Sequence, residues 1–266
     1  MSFSIRNDRV KIIKLAKRRD DVSQEHFDYY RLNEHSKKEL AYMKSKKEPL
    51  VYEQLHINQD EKEKLKKAEV AILECDGVVL FEAESFQSFG SIITDEFFNT
   101  IVPDEASFAN REHSLVAPLK FASIVQHKEE KTDLPDTQVR KNCARMIYLF
   151  EKKEGLTDEE FTKAWLEGHA RAVLSTPLGK KLLKSSADPN ASIHAPKWNG
   201  IEIIDAPSFE DFDDPETAKI LAEDGAKWQA PGSLNLLPVN IARIIDRDLH
   251  GRQYRLVRLY ATVDSP

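Results

Sequence analysis

The chain has 266 residues, of which 41% are hydrophobic and 32% are charged. This composition allows a buried core and is not that of an intrinsically disordered chain. The formal net charge is −6, with Lys and Arg spread along the chain, which argues against a nucleic-acid partner. Because the sequence has no signal-peptide core and no apolar run of about 18 residues, we expect a cytoplasmic protein that makes no membrane contact.

The sequence contains an internal repeat. The segment Val10–Leu40 aligns without a gap with Ala144–Leu174 at an offset of 134 residues, and the block Asp76–Phe89 aligns with Asn199–Phe212 at an offset of 123. An offset of 120 then pairs Asp104, Phe108 and Pro118 with Asp224, Trp228 and Pro238. Matched blocks in the same order indicate two copies of one unit.

The unit boundaries follow from this alignment. We place the first unit at residues 1–130 and the second at residues 139–266, joined by a polar, proline-containing linker at 131–138. The offset changes because the first unit carries an insertion around Gln59–Cys75. Its very polar sequence predicts a solvated helix.

Each unit predicts the same order of elements: strand, helix, strand, strand, helix, strand. In the first unit the strands are predicted at Val10–Lys17, Val51–Ile57, Gly77–Ala83 and Leu115–Val125, and in the second at Ala144–Lys152, Ala191–Ala195, Gly200–Ala206 and Leu236–Asp246. The first helices are predicted at Gln24–Met43 and Asp158–Leu174, after Ser23 and Thr157 as N-caps. The fold class is therefore α+β, with ferredoxin-like units.

A ferredoxin-like unit leaves one face of its antiparallel sheet bare, and a second copy can cover that face. We therefore expect the two units to pack against each other as an internal pseudo-dimer. The C-terminal segment Tyr254–Val263 predicts a further strand that extends a sheet edge.

The helix of the second unit reads F-x-x-x-W-x-x-x-H, formed by Phe161, Trp165 and His169. With the aspartate, aromatic and proline positions that close each unit, it resembles the EthD family of the dimeric α/β-barrel superfamily. The resemblance implies tandem ferredoxin-like repeats that form an intramolecular dimeric α/β barrel, with a pocket between sheet and helices and no obligatory cofactor. Fungal members of the family are assigned as dehydratases or decarboxylases in aromatic polyketide pathways; related members of the superfamily are polyketide cyclases, hydroquinone monooxygenases and haem proteins.

The first unit departs from this pattern, because Arg31 stands where the second unit has Trp165. The two units therefore need not share one pocket or one role.

Two histidines are the candidate catalytic residues. Phe27, Arg31 and His35 are spaced four residues apart and share one helical face, as do Phe161, Trp165 and His169. The aromatic members of each set predict that this face looks toward the sheet. An imidazole there is a candidate general acid/base, since its ordinary pKa is about 6.5. The alternative is a histidine that caps a backbone carbonyl near the helix end.

Further residues are predicted to bind substrate. His56 and His194, on the second strands, could each flank a cavity with the helix histidine of their unit, or be exposed strand residues. Lys14 and Tyr148 occupy equivalent places on the first strands, where a snorkelling lysine is the alternative. Tyr30 and Trp165 are predicted pocket walls.

The motifs of common cofactor and metal sites are missing. The sequence has nine glycines but no G-x-G-x-x-G, no phosphate loop, no G-x-S-x-G, no H-E-x-x-H and no C-x-x-C. The two cysteines, Cys75 and Cys143, are expected to be reduced thiols. We therefore expect neither a cofactor nor a metal.

The sequence favours a cofactor-independent lyase or cyclase, a dehydratase or decarboxylase, that acts on a small aromatic polyketide-like molecule by histidine acid/base chemistry. The alternatives are a cofactorless monooxygenase, a non-catalytic ligand-binding or stress-response protein, and a haem protein. His169 is expected to matter more than His35, whose pKa Arg31 should lower and Glu34 raise. The chain is expected to be a monomer with an internal pseudo-dimer, or a homodimer.

Overall fold

The computed structural model describes residues 6–128, 139–183, 198–247 and 252–260. The predicted linker at 131–138, the predicted strand at 191–195 and His194 lie outside these residues.

The described strands form one closed antiparallel barrel. They are β1 Val10–Ala16, β2 Val51–Ile57, β3 Gly77–Ala83, β4 Leu115–Lys128, β5 Val139–Phe150, β6 Gly200–Ala206, β7 Asn235–Asp246 and β8 Arg252–Tyr260. Their order around the barrel is β1-β3-β2-β7-β5-β6-β8-β4. The first four strands and the last four each form one contiguous half of the barrel, and the joins are made by β2 with β7 and by β4 with β8.

Alternation along the strands assigns one face to the barrel interior and the other to the helices. On β1, Ile13 and Leu15 belong to the main apolar core inside the barrel, whereas Ile12 and Lys14 face the helices. On β2 the interior residue Glu53 alternates with Tyr52, which faces the helices. A site outside the barrel can therefore use the side chains on the face of the strands that looks toward the helices.

The last strand has a larger role than the sequence indicated. The expected edge strand Tyr254–Val263 is observed as β8 at Arg252–Tyr260, where it pairs with both β6 and β4. It does not end a sheet but closes the barrel. Beside β6 it takes the position that β2 takes beside β3. Strand periodicity identifies such a segment but carries no information on its pairing partners, which are distant in sequence.

The two long helices that contain the candidate histidines are confirmed, and each is interrupted by a π-helical turn. The first consists of α1 Gln24–Tyr30, a π turn Arg31–His35 and α2 Ser36–Met43; the second consists of α6 Asp158–Lys163, a π turn Ala164–His169 and α7 Ala170–Ser175. The side chains of Ser23 and Thr157 accept hydrogen bonds from the backbone N–H groups of His26 and Glu160, as N-caps do. Short π-helical segments occur often at functional sites.

The remaining helices cover the outer face of the barrel. They are α3 Gln59–Lys67, α4 Phe86–Gly90, α5 Asp95–Ala106, α8 Pro177–Leu183, a 3₁₀ helix Phe209–Phe212 and α9 Pro215–Gly225. The polar insertion is thus helical, as predicted. Within the described residues no helix has the length and apolar character to cross a membrane.

Charged side chains at one end of the barrel interior connect its two halves. Arg145 makes a two-pronged contact with Asp205, with distances of 2.5 and 2.8 Å, and its Nη1 lies 2.6 Å from Oε2 of Glu53. The other Glu53 oxygen accepts from Nη2 of Arg243 at 2.8 Å. Because removal of one member would leave a buried charge uncompensated, this cluster favours a single arrangement of the two halves.

Candidate functional site

A cavity of about 250 Å³ lies between the outer face of β1 and β3 and the helices of the N-terminal half. Its walls are largely aromatic and aliphatic, and include Phe81, Phe89, Phe97, Phe98, Phe108, Ile92, Ile101 and Val79. Its polar side chains are Lys14, Arg31, His35, Glu39, Tyr52, Glu105 and Arg111. An apolar pocket with a few convergent polar groups is the usual form of a small-molecule site.

His35 is held in the cavity wall by two carboxylates. It is only 5% exposed, and its ring lies edge-on to Phe108 at 4.9 Å between centroids. Nδ1 lies 2.7 Å from Oδ2 of Asp104, and Nε2 lies 3.4 Å from Oε1 of Glu39. A doubly protonated imidazolium can donate to both.

The charges around His35 favour its protonated form. Burial by itself would lower the pKa of His35, but the Glu39 carboxylate and the hydrogen bonds to Asp104 and Glu39 outweigh it and raise the pKa to about 9. The expectation that Arg31 and Glu34 control this pKa is corrected. The Glu34 side chain is 44% exposed and pairs with Lys37 at 3.4 Å, whereas His35 faces Asp104 and Glu39.

Glu39 extends the hydrogen-bonded chain along the cavity wall. Burial would raise the pKa of Glu39, but His35 and the hydroxyl of Tyr52 lower it, so the residue is a buried carboxylate. Tyr52 donates its hydroxyl hydrogen to Oε2 of Glu39. Burial and the Glu39 charge hold the pKa of Tyr52 well above its usual value. Nε2 of Gln54 donates to the Tyr52 hydroxyl oxygen at 2.7 Å and to the Arg31 carbonyl at 3.0 Å.

Lys14 reaches the cavity from β1. It contacts Oε1 of Glu105, whose Oε2 lies 3.0 Å from Nε of Arg111. Burial lowers the pKa of Lys14 to about 8; Arg111 and Arg31 act in the same direction, and Glu39 acts against them. The predicted position of Lys14 at a pocket is therefore observed.

Arg31 lies behind His35 and is 2% exposed. Its Nη2 donates to the carbonyl of Val78 at 3.0 Å, and its guanidinium lies over the ring of Phe27 at 5.0 Å from the centroid. The space for it exists because residue 77 is a glycine. A Cβ there would lie 2.1 Å from Nη1 of Arg31.

His169 has the same kind of partners in the C-terminal half. Its Nδ1 lies 2.7 Å from Oδ2 of Asp224, and its Nε2 lies 3.2 Å from Oε2 of Glu202. Trp228 lies edge-on to the imidazole at 4.8 Å and donates its indole N–H to Oδ2 of Asp224 at 3.1 Å. Among the described residues, no group of three or more His, Cys, Asp or Glu side chains is arranged to hold a metal ion.

Among the described residues, aromatic side chains pack closely beside His169. Trp165, at the sequence position equivalent to Arg31, is fully buried and stacks on Phe161 at 5.5 Å. It also packs edge-on against Phe150 at 5.0 Å and beside Trp228 at 6.4 Å. The sequence favoured His169, whereas the cavity described above lies beside His35.

Three of the other predicted residues lie outside the cavity wall. His56 pairs with Asp28, Nδ1 to Oδ1 at 2.9 Å, and is not in the lining. The reason is direction: the helix runs antiparallel to β2, so Asp28 faces His56 and the later residue Glu39 faces Tyr52. Tyr30 donates its hydroxyl to Oδ1 of Asp104 at 2.7 Å and supports His35 from behind. Tyr148 is half-buried in the other half, where burial and the Glu202 charge raise its pKa.

Sequence reasoning missed several members of the site. Glu39 follows His35 by four residues, so the helical period alone places the two side chains side by side. Tyr52 and Glu105 have no comparable signal, since their approach depends on how β2 and α5 pack against the helix. Asp104 was noted as a repeated position but not as the partner of His35.

Solved structures of similar shape identify the fold. A candidate monooxygenase from Lactobacillus acidophilus is 11% identical, with a TM-score of 0.54, over 91% of this chain and 97% of that one. A candidate monooxygenase from Fusobacterium nucleatum is 7% identical, with a TM-score of 0.54, over 91% of this chain and 94% of that one. The chain shares its overall α+β barrel fold with these two proteins. No protein-family profile matches the sequence, and no curated protein sequence is significantly similar to it.

Proposed function

We propose that the chain is an enzyme that processes a small aromatic, polyketide-like molecule in the cavity beside His35. The observation that carries this proposal is the buried pair of His35 and Glu39 in the wall of an aromatic-lined cavity. Titratable groups with perturbed pKa values in a cleft are typical of catalytic sites. The fold shared with the two candidate monooxygenases is compatible with this function but does not specify a reaction.

The reaction class we propose is that of a lyase or cyclase, such as a dehydratase or decarboxylase. Glu39, a buried carboxylate, is the base that takes a proton from the carbon α to a substrate carbonyl. Both ring nitrogens of the cationic His35 face carboxylates, so its Nε2–H must turn from Glu39 to the carbonyl oxygen when substrate binds. There it stabilises the negative charge that develops. In a dehydration, the same imidazolium gives its proton to the departing hydroxyl, so that water leaves and the charges balance.

Of the acid and base roles that the sequence left open for the histidine, His35 therefore takes that of the acid. With a pKa of about 9, His35 is mostly protonated near neutral pH. Asp104 holds it in place through Nδ1, and Tyr30 and Lys38 donate hydrogen bonds to Asp104 in turn.

We also propose that the two halves are copies of one ferredoxin-like unit that form an intramolecular barrel, at residues 1–130 and 139–266. The matching distances of 2.7 Å from His35 to Asp104 and from His169 to Asp224 support this, as does the π turn that precedes each pair. In this view the second copy acts as a scaffold, with Trp165 in the space that the first copy leaves open.

Proton exchange at an activated carbon tests the enzymatic proposal without knowledge of the natural product. We expect the purified chain to accelerate deuterium exchange at C2 of 1-tetralone in D₂O, followed by proton NMR. Glu39→Gln should lower the enzyme-dependent rate by at least about 10²-fold, since a general base contributes that much. Glu34→Gln, at a residue of the same helix that pairs with Lys37 and is not in the cavity lining, is the control and should keep the rate.

Two results would argue against the proposal. Exchange that Glu39→Gln leaves unchanged would remove Glu39 as the base. Binding of the ketone with no acceleration of exchange would favour the non-catalytic ligand-binding protein.

A further inference from the structure

Arg31 is a buried cation with no carboxylate partner among the described residues. Its Nη2 donates to a backbone carbonyl, that of Val78, and its Nη1 has no hydrogen-bond partner among the described residues. No carboxylate in the described part of the chain forms an ion pair with Arg31. Burial of a charge without an ion pair is costly. A bound anion beside Arg31 would therefore stabilise the buried guanidinium.

The other cations of the cavity wall already have partners. Lys14 and Arg111 both contact Glu105, and His35 lies between Glu39 and Asp104. In the described part of the wall, Arg31 is thus the cation without a salt bridge, and the charges of Asp28 and Glu39 act on it only from a longer distance.

The C-terminal half is a natural comparison for this residue. There Trp165 takes the equivalent place and fills it with an indole, packed on Phe150 and Phe161. A glycine begins the third strand of the first half and β6 of the second, at Gly77 and Gly200. A Cβ at Gly77 would collide with Arg31, and a Cβ at Gly200 would collide with Phe150 and lie 3.0 Å from the indole of Trp165. The same backbone geometry therefore holds a filled core in one half and a cation beside a cavity in the other.

We propose that Arg31 binds the carboxylate of an aromatic acid, so that the ligand of this cavity is an aromatic carboxylate of one or two rings. The planar guanidinium matches the two oxygens of a carboxylate. Phe81, Phe89, Phe97 and Phe98 supply an apolar wall for the rings. This inference uses the cavity of the proposed function and adds the chemical class of its ligand.

Equilibrium binding of a matched pair of probes tests the inference. 2-Naphthoate carries the charge, and 2-naphthamide is its neutral counterpart of nearly the same shape. By titration calorimetry near pH 7, the wild-type chain should bind 2-naphthoate at least about 10-fold more tightly than 2-naphthamide, as one charge-assisted contact allows. Arg31→Met should lose about 10-fold or more for the acid and change little for the amide.

Two further variants keep this test decisive. Arg171→Met removes an exposed arginine from a helix of the other half and should leave both affinities unchanged. Arg31→Lys keeps a charge but not the paired donors, so the preference for the acid should fall by part of the full effect. If circular dichroism shows that Arg31→Met is unfolded, the preference measured for Arg31→Lys replaces it.

Equal wild-type affinity for the two probes, no binding of 2-naphthoate at millimolar concentration, or an undiminished acid preference in Arg31→Met would each overturn the inference. The proposed enzyme fails by a separate result, since exchange is measured on a neutral ketone. A preference for the acid without any exchange leaves Arg31 as an anion-binding residue, and exchange without that preference leaves the enzyme.

Discussion

Nε2 of His35 lies 3.4 Å from Oε1 of Glu39, one helical turn further along the same helix, and both side chains are buried. The pair is stable as ions because Asp104 holds the other ring nitrogen and Tyr52 donates to the other carboxylate oxygen. Burial of such a pair without these additional hydrogen bonds would be costly. The contacts with Asp104 and Glu39 thus control both the position and the protonation of the His35 imidazole.

The first prediction concerns stability as a function of pH. The pKa of His35 is raised to about 9 in the folded chain, above the ordinary value of 6.5. Its stabilisation is therefore fully present below about pH 6.5 and is lost as the pH rises through about 9. The difference in unfolding free energy between wild type and His35→Gln should be larger at about pH 6 than at about pH 9.5, by up to about 3 kcal/mol.

Urea unfolding at the two pH values measures this difference. His26→Gln, an exposed substitution on the same helix, serves as the reference and should show a small and constant difference. A His35→Gln difference that is the same at both pH values would mean that the imidazole is not held in its charged form.

The second prediction concerns the glycine beneath Arg31. A Cβ on Gly77 would lie 2.1 Å from Nη1 and 2.9 Å from Cζ of Arg31, so Gly77→Ala must displace the guanidinium. We expect it to weaken binding of 2-naphthoate by several-fold, about as far as a lost charge-assisted contact allows. Gly90→Ala, where an added Cβ meets nothing within 4 Å, is the matched control. If calorimetry showed that Gly77→Ala binds 2-naphthoate as tightly as the wild type, Arg31 would be free to occupy another position.

The third prediction concerns the aromatic core beside His169. Trp165 is fully buried against Phe150, Phe161 and Trp228, so Trp165→Ala leaves a large void and should lower the unfolding free energy by about 3–5 kcal/mol. Phe98→Ala, at an aromatic residue that is 53% exposed, should cost less than about 1 kcal/mol. Chemical denaturation compares the two, and equal losses would contradict the assignment of Trp165 to a close-packed core.

Much of the fold follows from local sequence patterns. The strands Val51–Ile57, Gly77–Ala83 and Gly200–Ala206 have the predicted bounds, because apolar alternation and turn-forming residues at their ends define them locally. The closing of the barrel by β8 has no local signal, since pairing with β4 and β6 depends on residues far away in the chain. The π turns were also beyond prediction, because an i to i+5 hydrogen bond leaves the helical pattern of apolar residues nearly unchanged.

The candidate site was predictable to a smaller extent. His35 and Lys14 could be placed at a pocket from the face they occupy, and both line the cavity. His56 contacts Asp28 and is not in the lining of the cavity beside His35, and this could not be predicted because the relative direction of helix and strand is a tertiary property. Arg31 was noticed as a departure from its counterpart Trp165, but whether an arginine there opens a cavity or only replaces an indole depends on packing.

The proposed chemistry takes place at His35 and not at His169. The measurement is the rate of deuterium exchange at C2 of 1-tetralone for wild type, His35→Gln and His169→Gln. His35→Gln should lose at least about 10²-fold of the enzyme-dependent rate, as expected for a missing general acid. His169→Gln, in the C-terminal half, should keep the exchange rate to within about 10-fold of the wild-type rate. Circular dichroism verifies that this variant is folded. A loss confined to His169→Gln, with His35→Gln fully active, would contradict the account and place the active site in the C-terminal half.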